Sequence, residues 1–278
     1  MTLANVALDV MREALARRFI LAIFVAIGLG LLTVALALDL EVVQGTLAAS
    51  RLFGQRLQGT AIIPVDVALR KLFGILVYLF FYNGVVLGVV ASSQIAVSLL
   101  APGRVELLLS LPVRRAELVI GTYLGVLLIA LLATAAGVGG LSLVLFYKTH
   151  VVTAAPLAAA IAGLIGFGAV YSVMLLATAL VRSPSLASAT GLGVLALGAA
   201  ASDRATFLSL FDAGWVRRAV EIAVAPLPRF HLLAEAGARA AEAGQGWPGD
   251  TLPLLGSTLA FALAGVAAAV FVIGRKDY

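Results

Sequence analysis

An all-α polytopic membrane protein with six transmembrane helices and an N-terminal interfacial helix is the fold class predicted for this chain. Three observations predict it. Of 278 residues, 62% are apolar and only 12% are charged, whereas soluble domains run at about 45–50% and about 25%. Mean hydropathy is +1.11. The apolar residues also fall in long runs, each near the roughly 20 residues that cross about 30 Å of hydrocarbon. The absence of Cys excludes disulfides and thiolate metal sites. The net charge of +5 sits between the apolar runs, where it reads as a topology signal and not as a nucleic-acid patch.

Residues 1–18 are too polar to span. Leu3, Val6, Ala7, Val10, Met11 and Ala14 recur at helical spacing, and Asn5, Asp9, Arg12, Glu13 and Arg17 take the other face. That pattern predicts an amphipathic helix lying in the interface. A signal peptide ending at Ala35-Leu36-Ala37 is the competing reading, opposed by two acidic residues in its start region. Spans are expected at 19–38, 72–100, 118–146, 154–181, 185–201 and 252–273. The fifth is short, rising only about 25 Å, while the second and third overshoot a straight crossing.

Basic residues set the orientation. With the N-terminus cytoplasmic, the inside segments carry nine basic and five acidic residues, mostly in short loops, and the outside segments ten and nine. The placement beside the spans favours N-in, C-in, although Arg70 and Lys71 at an outer mouth oppose it.

Enzyme chemistry finds little support. His150 and His231 lie in different segments without metal-ligand spacing, and no Gly-x-x-x-x-Gly-Lys-Ser/Thr loop is present. No Asp, Glu, Lys or Arg stands in the middle of an expected span, which disfavours an ion-driven carrier. Gly84, Gly88 and Ser92 stand four apart, as do Gly121 and Gly125, which suits close helix packing within the chain or between protomers. Tyr78, Tyr82, Asn83 and Gln94 put polar groups in the second span, either as interhelical hydrogen bonds or as the lining of a substrate path.

The loop 101–117 is the most informative stretch. Pro102 starts a short helix and Pro112 ends it. Val105, Leu108 and Leu109 form its apolar face beside Arg104, and Arg114, Arg115 and Glu117 follow. Such a helix either rests on headgroups or docks a soluble partner.

Here the chain resembles permeases of the ATP-binding-cassette type 2 family, including the copper-enzyme maturation and gliding-motility kinds. The likeness runs from Gly103 and Arg104 through Leu108, Leu109, Pro112, Arg114 and Arg115 to Gly121 and Gly125. The family's acidic residue upstream is absent. The resemblance implies that 101–117 is a cytoplasmic coupling helix seated in a separate ATPase. Arg104, Glu106, Arg114, Arg115 and Glu117 would make polar contacts; Val105, Leu108, Leu109 and Pro112 would supply the apolar ones. It further implies two permease chains with two ATPases that hold ATP and Mg, export across a prokaryotic plasma membrane, and re-entrant outer helices in 201–251. The chain itself would bind no cofactor, metal or nucleic acid and would not be an enzyme. An ATP-independent carrier or channel and a non-transporting assembly factor are the alternatives.

Overall fold

The computed structural model describes residues 3–16, 19–43, 46–52, 55–56, 63–98, 114–150, 155–211, 214–243, 247, 249 and 251–275. The helices in chain order are α1 (Leu3–Ala16), α2 (Phe19–Ala37), α3 (Val65–Ser98), α4 (Arg115–Thr149), α5 (Ala155–Leu180), α6 (Pro184–Ala200), α7 (Arg204–Ser209), α8 (Trp215–Val224), α9 (Phe230–Ala243) and α10 (Thr251–Gly274). Among the described residues, four stretches are long and apolar enough to cross a membrane: Leu76–Ser98, Arg115–Thr149, Leu157–Leu180 and Thr251–Gly274. A further crossing arises if α1 and α2, bent by 68°, count as one. The chain is therefore a multi-pass helical membrane protein. At 17 residues α6 is the short apolar helix that its sequence length announces.

Two features depart from expectation. The sequence predicts an all-α chain, but between α2 and α3 the long segment expected outside carries four short strands: β1 (Leu38–Val43), β2 (Thr46–Leu52), β3 (Gln55–Arg56) and β4 (Ile63–Pro64). β1 and β2 form an antiparallel pair with a register shift at Glu41/Val42, and β3 and β4 both pair with β2. Pro64 sits at the end of the two-residue strand, where its missing N–H costs least. The second departure is α1. Its apolar stripe, Val6, Ala7, Val10 and Ala14, is buried within the chain instead of being offered to lipid.

Gly121 and Gly125 are the reason. A Cβ on Gly121 would stand 2.6 Å from Val6 Cβ, and one on Gly125 would stand 2.8 Å from Val10 Cβ and 3.0 Å from Ala7 O. The two glycines open a groove along α4 that seats α1 backbone-close, where dispersion replaces lipid contact. Farther along the same helix Gly140 receives Leu31 of α2. The bent pair thus follows α4 for most of its length.

The centre of the bundle is α5. Its buried face includes Ala162, Phe167, Val170, Tyr171 and Met174, which meet α3, α4, α6, α9 and α10. Gly88 admits the Phe167 ring, Gly191 admits Met174 and Val89, and Gly265 admits Ser172. Hydroxyls inside the helices are satisfied locally. Ser92, Thr122, Thr149 and Thr178 each donate to the carbonyl four residues back at 2.7–2.8 Å. That closes each group where no water reaches.

The ends follow simple capping rules. Ser183 accepts from Leu186 N at 3.4 Å and Pro184 opens α6. Asp203 accepts from Thr206 N and from Thr206 Oγ1, at 3.3 and 2.6 Å. The side-chain bond and then the backbone bond hold its carboxyl below the usual carboxylate range, so this cap is in place at neutral pH and is lost only as pH falls through that lowered value. His150 ends α4 in a left-handed conformation, φ 55°, donating its N–H to Phe146 O at 2.7 Å.

Gly125 and Gly84 make a controlled pair, because nothing lies within 4 Å of a Cβ built on Gly84. Replacing Gly125 by Leu is expected to cost about 1–3 kcal/mol by overpacking. It should lower the melting temperature in detergent and expose 3–16 to protease, whereas Gly84→Leu should leave 3–16 protected.

Candidate functional site

One end of the bundle gathers the start of α4, the end of α10 and the N-terminal part of α1. Arg114 stands exposed in extended backbone, φ −73° and ψ 142°, as the N-cap of α4. Its N–H donates to Glu117 Oε2 at 3.2 Å, and its carbonyl accepts from Glu117 N at 2.9 Å. Glu117 therefore closes the first turn, where a carboxylate also complements the helix dipole. Arg115 turns the other way. Its Nη1 donates to Gly274 O at 3.1 Å and to Ile273 O at 3.5 Å, tying the last carbonyls of α10 to the first turn of α4. Of the nine residues expected at the partner interface, Arg114 is the one whose described side chain is both exposed and beside the loop. Arg104, Val105, Glu106, Leu108, Leu109 and Pro112 lie outside the described residues.

The four polar residues of α3 do not share a face. Each residue turns the helix by about 100°, so Tyr78 and Tyr82 stack on one flank while Asn83 and Gln94 fall on the outward side. Tyr78 meets the His231 ring at 5.8 Å, and Tyr82 stands edge-on to Phe81 at 5.3 Å. Asn83 is exposed and donates to Leu79 O at 2.8 Å, and Gln94 is exposed among Leu87 and Val90. The small residues divide in the same manner. Gly88, Gly121 and Gly125 are filled by neighbours from the same chain, and Ser92 is buried, bonded to Gly88 O. Gly84 opens outward.

Tyr78 belongs to a second polar locus that its spacing did not reveal. Helix α9 buries Phe230, Leu233, Ala234, Ala238 and Ala241 against α3 and α5, and presents His231, Glu235, Arg239 and Glu242 along its other side. Glu235 and Arg239 are paired at 3.3 Å, and Tyr78 lies within electrostatic reach of Glu235, Arg239 and Glu242. Helix α9 falls in the segment 201–251 where outer helices are expected, but that its charged side would stand over Tyr78 depends on packing. The spacing of His231, Glu235, Arg239 and Glu242 at i, i+4, i+8 and i+11 was the available signal.

A third locus brings a carboxylate into the bundle. Glu13, expected on the exposed side of α1, has a buried Oε1 and lies in electrostatic reach of Tyr171. Tyr171 is fully buried between Phe167 and Tyr123, and its hydroxyl has no hydrogen-bond partner. Tyr123 donates to Gly168 O at 3.2 Å. Sequence periodicity could not show this, because α1 owes its position to the Gly121–Gly125 groove. Among the described residues, no three His, Asp or Glu side chains form a metal-ligand group.

No protein-family model matches the chain, and no curated protein matches it.

Arg115→Ala should remove the tie between α4 and α10 at a cost of about 1 kcal/mol, the worth of a cation on helix-end carbonyls. Faster amide hydrogen exchange in 270–274, with the centre of α10 unchanged, is the expected measurement.

Proposed function

We propose that the chain is the membrane-spanning subunit of an ATP-driven exporter whose ATPase is a separate polypeptide. The observation that carries this reading is the loop 101–117. In the sequence Pro102 and Pro112 bound a stretch in which Val105, Leu108 and Leu109 recur at helical spacing among Arg104, Glu106, Arg114 and Arg115, a pattern that suits docking in a protein cleft. Geometry supports the reading without naming the partner. Arg114, at the exit of that loop, is exposed, and it sits at the end of the bundle where Arg115 clamps α10. A push on the loop is thereby coupled to two spans at once.

In this reading α1–α2 and α6 complete six membrane-embedded segments. The termini and the loop face the cytoplasm of a prokaryotic cell, and two copies pair with two ATPases that hold ATP and Mg. The outward sides of α3 offer Asn83 and Gly84 as candidates for contact between copies.

One observation favours a second reading, an ATP-independent carrier. Ion-driven carriers need a titratable group within the bundle. Glu13 beside Tyr171 supplies one, although none lies mid-span in the sequence.

Purification of the full chain from its own cells should retain an ATPase subunit in equal amount. The double variant Leu108→Asp, Arg114→Asp should keep the chain in the membrane, lose that subunit and abolish ATP-dependent export, by at least about tenfold given two contacts each worth about 1 kcal/mol or more. Normal export by the variant, or transport by the purified chain without ATP, would reject the proposal. Loss of that ATP-independent activity in Glu13→Gln would then identify the carrier.

A further inference from the structure

The outward side of α3 has the rhythm of a helix seam. Leu76, Phe80, Asn83, Leu87, Val90 and Gln94 follow one another in alternating steps of four and three. That rhythm, a repeat of seven, keeps them on one side of the helix, as in a coiled coil. From Leu76 to Gln94 the stripe rises about 27 Å, close to the thickness of the hydrocarbon. The chain itself covers little of it. Leu76 is half-buried, Asn83 and Gln94 are exposed, and Phe80, Leu87 and Val90 are 44%, 56% and 56% exposed. Val77, Phe81, Val85 and Val89 take the opposite side, where α3 packs on α5, α6 and α9.

Lipid suits the apolar members of the stripe but not its two amides. Asn83 and Gln94 are the only Asn and Gln in the sequence of helices α3 to α10. Asn83 stands about 10 Å in from Leu76 and about 22 Å from Ser98, well inside the span. It donates one N–H to Leu79 O at 2.8 Å. Its second N–H and its oxygen have no partner among the described residues, and the Gln94 amide bonds to none of them. Hydroxyls on other outward sides differ. Thr33 and Ser257 each place their one proton on a carbonyl of their own helix, at 2.8 and 2.9 Å. An amide has two donors and an acceptor, and a single bond to the preceding turn cannot close it. Hydrocarbon offers no other partner.

We propose that α3 pairs with α3 of a second copy of this chain along this stripe, as a parallel seam in which Asn83 bonds to its counterpart and Gln94 to its own. Complementarity of partial charge selects that occupant. An amide carries a positive N–H edge and a negative oxygen, so it fits another amide. Two-fold symmetry sets each seam residue against the same residue of the other copy, so both amides are answered at once. Copies inserted in the same sense have parallel α3 helices, as this register requires. Gly84, next to Asn83, leaves the facing helix room to approach, for nothing lies within 4 Å of a Cβ built there. The pairing rests on the export reading for its two copies and adds the surface that joins them.

Since the chain has no natural Cys, single-Cys variants of the full chain in its own membranes report the seam directly. Leu143→Cys and Leu263→Cys, exposed on α4 and α10, are the controls. Copper-phenanthroline oxidation should cross-link Phe80→Cys and Leu87→Cys into dimers at least about tenfold faster than the controls, because a disulfide closes only over a short Cβ–Cβ distance. The dissociation constant of the dimer is then read in vesicles, from the cross-linked fraction of Leu87→Cys against the lipid-to-protein ratio. Asn83→Leu in that background should raise it roughly three- to tenfold, the worth of an interhelical hydrogen bond in a membrane. Asn83→Gln, which keeps an amide, should raise it less, and 3–16 should stay protected from protease in both. Seam positions that cross-link no faster than the controls overturn the pairing, whether lipid or another protein covers α3. Rapid cross-linking with an unchanged dissociation constant in Asn83→Leu overturns the role of the amide. The variant Leu108→Asp, Arg114→Asp should still cross-link through Leu87→Cys. A seam without a copurifying ATPase therefore counts against the export reading alone, and an ATPase retained without a seam counts against the pairing alone.

Discussion

Hydrocarbon offers no hydrogen bonds, and much of this structure follows from that constraint. Backbone polarity is closed inside helices, and hydroxyls are closed on the carbonyl three or four residues back, as at Ser93, Ser98 and Thr258. Some charges are tied to helix ends, as Arg115 is to Gly274 O, and others are gathered on the exposed side of α9. The same constraint makes Tyr171 notable. Its hydroxyl is buried without a partner while Glu13 stands in electrostatic reach, so the pair carries polarity that the rest of the bundle avoids.

Close approach is the second organising feature. Leu side chains gain nothing over lipid tails as such, so helices in a membrane associate where small residues let backbones meet. Gly121 and Gly125 bring in α1, Gly88 and Gly166 seat aromatic rings, and Gly198 joins α6 to the turn before α9. Each pairs a glycine on one element with a bulky residue on another. The short α6 ends beside Phe230, and α9 runs from there toward Gly74.

The geometry also relates the proposed loci to one another. Arg115 joins α4 to α10, α10 packs on α5, and α5 packs on α9. The packing of these helices is thus contiguous from the start of α4 to α9, through glycine contacts that bring the elements close. Tyr123 and Tyr171 stack at 6.1 Å across α4 and α5 within it, with Glu13 of α1 beside them.

Helix positions were largely legible in the sequence. Expected spans 118–146, 154–181, 185–201 and 252–273 fall within a few residues of α4, α5, α6 and α10, because a run of apolar residues in lipid has one way to satisfy its backbone. The Ser183 cap and Pro184 at the start of α6 and the amphipathic pattern of α9 were present in the sequence as further signals. The strands in 38–64 were missed although Leu38-Asp39-Leu40-Glu41-Val42 alternates apolar and polar residues; the alternation is short and directly continues the apolar run of α2, so that only pairing with β2 distinguishes it as a strand. Nor could periodicity tell which neighbour takes an apolar stripe: lipid and protein reward the same Val6, Ala7 and Val10, and a groove on α4, more than a hundred residues away, made the choice. Composition and run length thus settle that the chain lives in a bilayer and roughly where it crosses, for those depend on solvent alone. Which side of α3 meets α9, where Glu13 points and what covers α1 depend on contacts between distant segments, and only packing could assign them.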